Sequence, residues 1–303
     1  MDWFFVALVP PLLYAVTNLL DKTLLSKYFQ EGGVGTLLMF SALLSFIAVP
    51  LLYWMEPDIL AVSGENLRTL AFLGFLDIVL VWSYLMALKD AESSATIFYY
   101  QLVPVLALIM GYFRLGETIT ELQLLAMAII IFGTSLVSFE NDENGLKFKW
   151  KTVGFMLIAC ACWASESVFF KAVALEENIW RSLFWKHVML LVIGVLMFVF
   201  LPKQRQNFLA RFKAGSAGIV FLNVLNESLY MSANVVAAYA FMLAPVALVL
   251  LAETFQAFFV LALGVALTFV FPRIFNESID KGTVVKKVIA LIITGLGTYI
   301  LLT

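Results

Sequence analysis

Asn223, Glu227, Tyr230 and Asn234 follow one another at steps of four, three and four inside an otherwise apolar stretch, residues 216–240. Those steps place all four on one face of a helix. A carboxyl, a phenol and two amides in a row can hold a cation, exchange a proton or orient a polar molecule. Each is costly against lipid, so the stripe has to face other helices or a watery path. Three more carboxyl groups, Asp77, Glu166 and Glu253, also lie deep in apolar stretches. Each is either a packing contact that pairs with a neighbour or a cation or proton site, and Asp77 can equally tie the third stretch to the eighth. Glu166 is flanked by Ser165 and Ser167, and Glu253 has Gln256 one turn later.

Lys22 and Lys171 supply the opposite sign, each with a polar residue one turn before it, Asn18 and Ser167. They can snorkel to an interface, pair with the acids in one conformation, or meet a substrate carboxylate or phosphate. Near-balanced interior charge suits a zwitterion such as an amino acid, and suits a structural ion-pair network equally well. Tyr99 and Tyr100 precede Gln101, while Tyr230 and Tyr239 flank Asn234, and such faces can pack on an organic cation or a planar metabolite. Trp163, Trp180 and Trp185 are alternatively interface anchors. His187, the only histidine, is read as interfacial and not as a proton relay.

The elements that must position these groups follow from composition. With 63% hydrophobic and 13% charged residues and a mean hydropathy of +0.98, the chain has too little polar surface to cover a soluble domain. The expected spans are 4–27, 35–54, 69–88, 94–113, 122–139, 152–175, 183–201, 216–240, 245–271 and 284–302. The fold class is therefore an all-α integral membrane protein of ten transmembrane helices. Pro10 and Pro11 fall in the first turns of the first span. Pro104 lies inside the fourth and predicts a kink, and the ninth, the longest, should tilt or break. The first span runs on through Asp21 and Lys22 and reads as a retained helix. Cys160 and Cys162 point to different sides of one helix and read as small hydrophobes.

Fourteen of the nineteen lysines and arginines fall on the side reached after odd-numbered spans. The positive-inside rule then puts the basic 203–213 connector in the cytoplasm and both termini outside. The run from Glu140 to Asn144 reads as a solvated connector between two halves, 1–144 and 145–303. Those halves share features: FLDIVLVWSY at 75–84 parallels FLNVLNESLY at 221–230, and YAVTNLLDK at 14–22 parallels WASESVFFK at 163–171. Five spans per half force the second copy to enter the membrane inverted, an arrangement common among transporters.

The chain resembles the EamA-type drug/metabolite transporter superfamily. The resemblance rests on NLLDKTLLSK in the first span, on YLMALKDAESSATIFYYQLVPVLALIMGYFRLGETIT from Tyr84, and on LLAMAIIIFGTSLVSF after it. It implies ten spans as two inverted five-helix repeats. The second half departs from the pattern: FPRIFNES from Phe271 stands where a Gly-Glu signature belongs, and Glu253-Thr-Phe-Gln replaces Gln101-Leu-Val-Pro.

No spaced His and Cys cluster, phosphate-binding loop or long soluble portion is present in the sequence, so an enzyme, a cofactor and a metal are not expected. A net charge of -2 gives no reason to invoke nucleic acid. The expectation is a secondary transporter of a small polar or amphipathic metabolite, amino-acid-like or an organic cation, working by alternating access and with protons as the candidate coupling ion. Its partners are that substrate and the lipid bilayer, as a monomer or weak homodimer in a bacterial inner membrane. A flippase for a lipid-linked intermediate and a non-transporting structural protein are the alternatives. The expected binding residues are Asn18, Lys22, Asp77, Tyr100, Gln101, Glu166, Lys171, Asn223, Glu227, Tyr230, Asn234 and Glu253.

Overall fold

The computed structural model describes residues 2–28, 33–56, 58–89, 91, 93–115, 120–137, 139–142, 145–148, 150–213, 217–244, 246–270 and 281–302. The chain is helical almost throughout: α1 Asp2–Ala7, α2 Val9–Thr23, α3 Gly33–Tyr53, α4 Gly64–Lys89, α5 Ser93–Phe98, α6 Val103–Leu115 and α7 Glu121–Val137 precede a hairpin of β1 Phe139–Asp142 and β2 Gly145–Phe148. Then follow α8 Trp150–Glu177, α9 Ile179–Phe200, α10 Pro202–Lys213, α11 Ala217–Leu243, α12 Val246–Glu253, α13 Gln256–Val270 and α14 Lys281–Leu302. Among the described residues, seven stretches are long and apolar enough to cross a membrane: Trp3–Ser26, Gly33–Tyr53, Gly64–Lys89, Thr96–Arg114, Trp150–Glu177, Ile179–Phe200 and Val249–Phe269. This is a multi-pass helical membrane fold. Large apolar side chains such as Phe46, Phe132, Phe200 and Phe269 point outward, as lipid-facing residues do.

The helix interruptions have local causes. Pro10 and Pro11 sit in the first turn of α2, where a missing N–H is not missed, and Leu8 N still donates to Phe4 O at 3.0 Å. Pro104 cannot donate to the Tyr100 carbonyl. The chain tightens into a 3-10 turn over Tyr99–Leu102, and Val103 N takes the Tyr100 carbonyl instead. The ninth expected span is broken outright between α12 and α13, where Thr254 N and Phe255 N bond back three residues to Leu251 O and Ala252 O. The two irregular segments meet: Gln101 Nε2 donates to Thr254 O at 2.9 Å. The connector expected to be merely solvated is a β-hairpin, with Phe139 opposite Phe148 and Glu140 opposite Lys147 in register. Among the described residues this ribbon is the one interruption of an otherwise all-α fold.

Long-range packing pairs one helix from before the hairpin with one from after it. The main pairs are α4 with α8, α7 with α14, α3 with α9, α2 with α11, α4 with α9, α6 with α8 and α13 with α2. Between α7 and α14 the approach is set by glycines: a Cβ on Gly133 would come within 2.7 Å of Thr294 Cγ2, and one on Gly297 within 2.8 Å of Ile130 Cγ1. Small residues at such crossings let helices without a hydrophobic driving force gain contact area.

Candidate functional site

A large cavity lies where α2, α3, α4, α8, α9 and α11 converge, about 1040 Å³ with its open mouth included. At one pole, Asp21 Oδ1 accepts from Asn226 Nδ2 at 2.7 Å, Glu227 accepts from the Ser41 hydroxyl, and Asn18 Nδ2 donates to Tyr84 Oη at 2.8 Å. At the other pole, the Lys186 ammonium bonds Glu166 and stands 3.6 Å from Asp77 Oδ1. The Tyr230 hydroxyl donates to the same Asp77 oxygen at 3.3 Å, and Tyr14 Oη donates to Asn234 Oδ1 at 2.6 Å.

Aromatic rings line the wall between the poles. Tyr84 faces Tyr100 at 6.1 Å, Tyr100 meets Trp163 edge-on at 4.6 Å, Trp163 meets Tyr14 at 5.8 Å, and Tyr14 lies 5.7 Å from Tyr230. Such spacing is that of offset and edge-to-face pairs. The negative ring faces favour cations. The cavity wall thus carries four carboxyl groups, Asp21, Asp77, Glu166 and Glu227, while the nearby ammonium of Lys186 is already held by two of them.

A second, smaller cavity of about 370 Å³ lies behind this wall. Tyr14, Trp163, Glu166 and Asn234 border both spaces, so the Tyr14–Asn234 bond and the Glu166–Lys186 pair form a septum. Beyond it lies Glu253, 5% exposed, neither of whose carboxylate oxygens meets a hydrogen-bond donor among the described residues.

The sequence-derived residues divide accordingly. Asn18, Asp77, Tyr100, Glu166, Glu227, Tyr230 and Asn234 come together around the large cavity, and Glu253 borders the small one. Neither Lys22 nor Lys171 borders either space. Lys22 Nζ donates to Leu88 O at 2.7 Å and Ala91 O at 2.5 Å, at the end of α4, and Lys171 Nζ donates to Ala244 O at 2.9 Å, just past α11. Each lysine satisfies carbonyls that a helix end leaves over. Asn223 is 1% exposed and sits away from the cavity wall, Gln101 is committed to Thr254, and Tyr239 faces outward at 54% exposure.

Three assignments change. His187 is not interfacial: it is buried, borders the large cavity, and its Nδ1 lies 3.4 Å from Ser45 Oγ. The cause is the early start of α9, whose N-cap Asn178 accepts from Arg181 N at 3.0 Å, which sets Lys186 and His187 two turns into the helix. Trp163 is a cavity wall and not an interface anchor. Lys186, one of the five basic residues outside the fourteen expected on the cytoplasmic side, is 4% exposed and belongs to the interior.

Asp21, Asn226 and Lys186 are among the site residues that sequence reasoning missed, as are Tyr14, Ser41 and Trp163. The signal for Asp21 was present, since Tyr14, Asn18 and Asp21 repeat on α2 the step of four and three seen on α11. Lys186 carried no such signal, because its depth depends on where α9 begins.

Comparison with known proteins bears on this geometry. Residues 1–139 match the EamA-like transporter family. That EamA-like stretch supplies α1 to α7, with Asp21 and Asp77 among its residues. In fold, 28 solved chains match. One of them, described only as a crystal structure of a protein, aligns with a TM-score of 0.55 at 17% identity over 99% of this chain and 95% of that one. Such identity speaks for the fold alone. No curated protein gives a significant sequence match. Fold and family match together point to a multi-pass membrane protein of transport type.

Proposed function

We propose that this chain is a secondary transporter of a small polar or amphipathic metabolite bearing a positive charge, an organic cation in preference to a zwitterion. The observation that carries the reading is the charge of the large cavity, four carboxyl groups with the adjacent Lys186 already bound between two of them. A bare anion would meet a wall of carboxyl groups there, and a zwitterion's carboxylate would find no cation free on the wall among the described residues. Lys22 and Lys171, once candidates for that part, are committed to helix-end carbonyls. In this reading Asp21 and Glu227 receive the cationic group, Glu227 being also the candidate for proton exchange. Tyr14, Tyr100 and Trp163 hold the body of the substrate, and Asn234 and Tyr230 orient it.

Alternating access follows from two inverted five-helix repeats, 1–144 and 145–303, rocking about this site. The set of packed pairs supports the repeat, because exchanging the halves in order turns α4 with α8 into α11 with α2, turns α6 with α8 into α13 with α2, turns α4 with α9 into the slighter contact of α11 with α3, and leaves α3 with α9 and α7 with α14 unchanged.

The test is flux in liposomes with the purified protein. Labelled phenethylammonium, tetraethylammonium, amino acids and a labelled lipid would be compared with and without a pH gradient. Saturable cation flux should fall at least about tenfold in Asp21→Asn and Glu227→Gln, an effect of about 1.4 kcal/mol on the limiting step. Flux unchanged in both variants would reject the acid pole as the site. Movement of lipid alone would favour a flippase.

A further inference from the structure

Lys186 stands between two groups of carboxylates. Asp77 borders only the large cavity and Glu253 only the small one, whereas Glu166 borders both. Lys186 itself borders the small cavity and reaches the septum to bond Glu166 and approach Asp77 at 3.6 Å. Across the same small cavity Glu253 offers two carboxylate oxygens that meet no donor among the described residues. A buried carboxylate without a partner is costly, and a buried ammonium persists only against one. The small space therefore holds one ammonium and two places where it can rest. Lysine's flexible four-carbon stem suits movement between them.

We propose that Lys186 is a tethered competitor for the cation site, and that Glu253 is where its ammonium goes when a substrate cation, first received at Asp21 and Glu227, moves on to Asp77 and Glu166. The proposal rests on the reading of the large cavity as a cation site. With the cavity empty, Lys186 keeps Asp77 and Glu166 from facing each other as bare charges. When an alkylammonium enters, Lys186 turns through the septum to Glu253, and its return helps expel the ligand. Weakening the grip in this way keeps binding loose enough for release, a general need of any pathway that must both admit and discharge an ion. No bond to carbon changes: a single ammonium changes partner. The ligand selected is one whose cationic group imitates a lysine head, an alkylammonium.

Two measurements test this. The first needs no ligand. In the wild type, Lys186→Gln and Glu253→Gln should shift the melting temperature of the detergent-purified protein additively. In a Glu166→Gln background, or in Asp77→Asn if that variant fails to fold, the ammonium rests on Glu253 and the two shifts should become non-additive. Additive shifts in every background would overturn the proposal, whether or not the chain transports anything. The second is calorimetric binding of phenethylammonium, which should tighten about tenfold in Lys186→Gln and weaken in Glu253→Gln. Unchanged or weaker binding in Lys186→Gln would overturn the competitor role. Absence of binding by every variant, with the non-additivity intact, would support the second resting place while rejecting the cation-transport reading of the large cavity.

Discussion

Lys22 and Lys171 show how little a residue's type says about its use in a membrane. Both looked available to answer a substrate anion, and both instead hold carbonyls at the ends of α4 and α11. Each lies on the first helix of its half and reaches the end of the third. A charged donor on a carbonyl in low dielectric contributes about 2 kcal/mol. Lys22→Met should therefore lower the thermal stability of the purified protein by roughly that amount while leaving its cation preference unchanged; a switch in preference at full stability would return Lys22 to the binding site. The carboxyl groups were more legible. Asp77, Glu166 and Glu227 stood out because an acid inside an apolar run needs a reason, and the structure gathers them around one cavity. Lys186 was hidden, because a lysine a few residues from an expected helix start looks like a connector charge.

Helix existence was readable from hydropathy, and so were two irregularities: Pro104 predicted the disturbance of the fourth span and excess length that of the ninth. Helix ends were less readable, since they depend on caps such as Asn178, which single-handedly links α8 to α9 with a positive φ of 89°. Crossing distances were not readable at all. Gly295 and Gly297 look alike in sequence. A Cβ on Gly295 meets nothing within 4 Å, whereas one on Gly297 would press on Ile130 and, at 3.1 Å, on the Ala126 carbonyl. Gly295→Ala should accordingly raise stability by about 0.5–1 kcal/mol through helix propensity. Gly297→Ala should lower it by about 1–3 kcal/mol through overpacking. Thermal unfolding of the two variants side by side checks the pair, and equal shifts would show that α7 and α14 are not in close contact.

On the scale of the whole molecule, the sequence hinted at two related halves but not at how they interlock. Internal likeness such as that of 75–84 to 221–230 survives at few positions, whereas packing surfaces need only matched volume and small residues at crossings. The structure places the main long-range helix contacts across the halves, and the charged cavity draws Asp21 and Asp77 from one half and Glu166 and Glu227 from the other. The hairpin of β1 and β2 between them then acts as a tether: its two strands pair with each other, and cutting it severs no helix. Co-expressed fragments 1–142 and 143–303 should find one another in the bilayer and copurify with cation-binding ability, while either fragment made alone should be cleared by proteolysis. If the pieces are stable apart and never join, the interlocking is weaker than the packing implies. If the pieces do join, the chain is in effect a heterodimer whose two partners are strapped together by a ribbon.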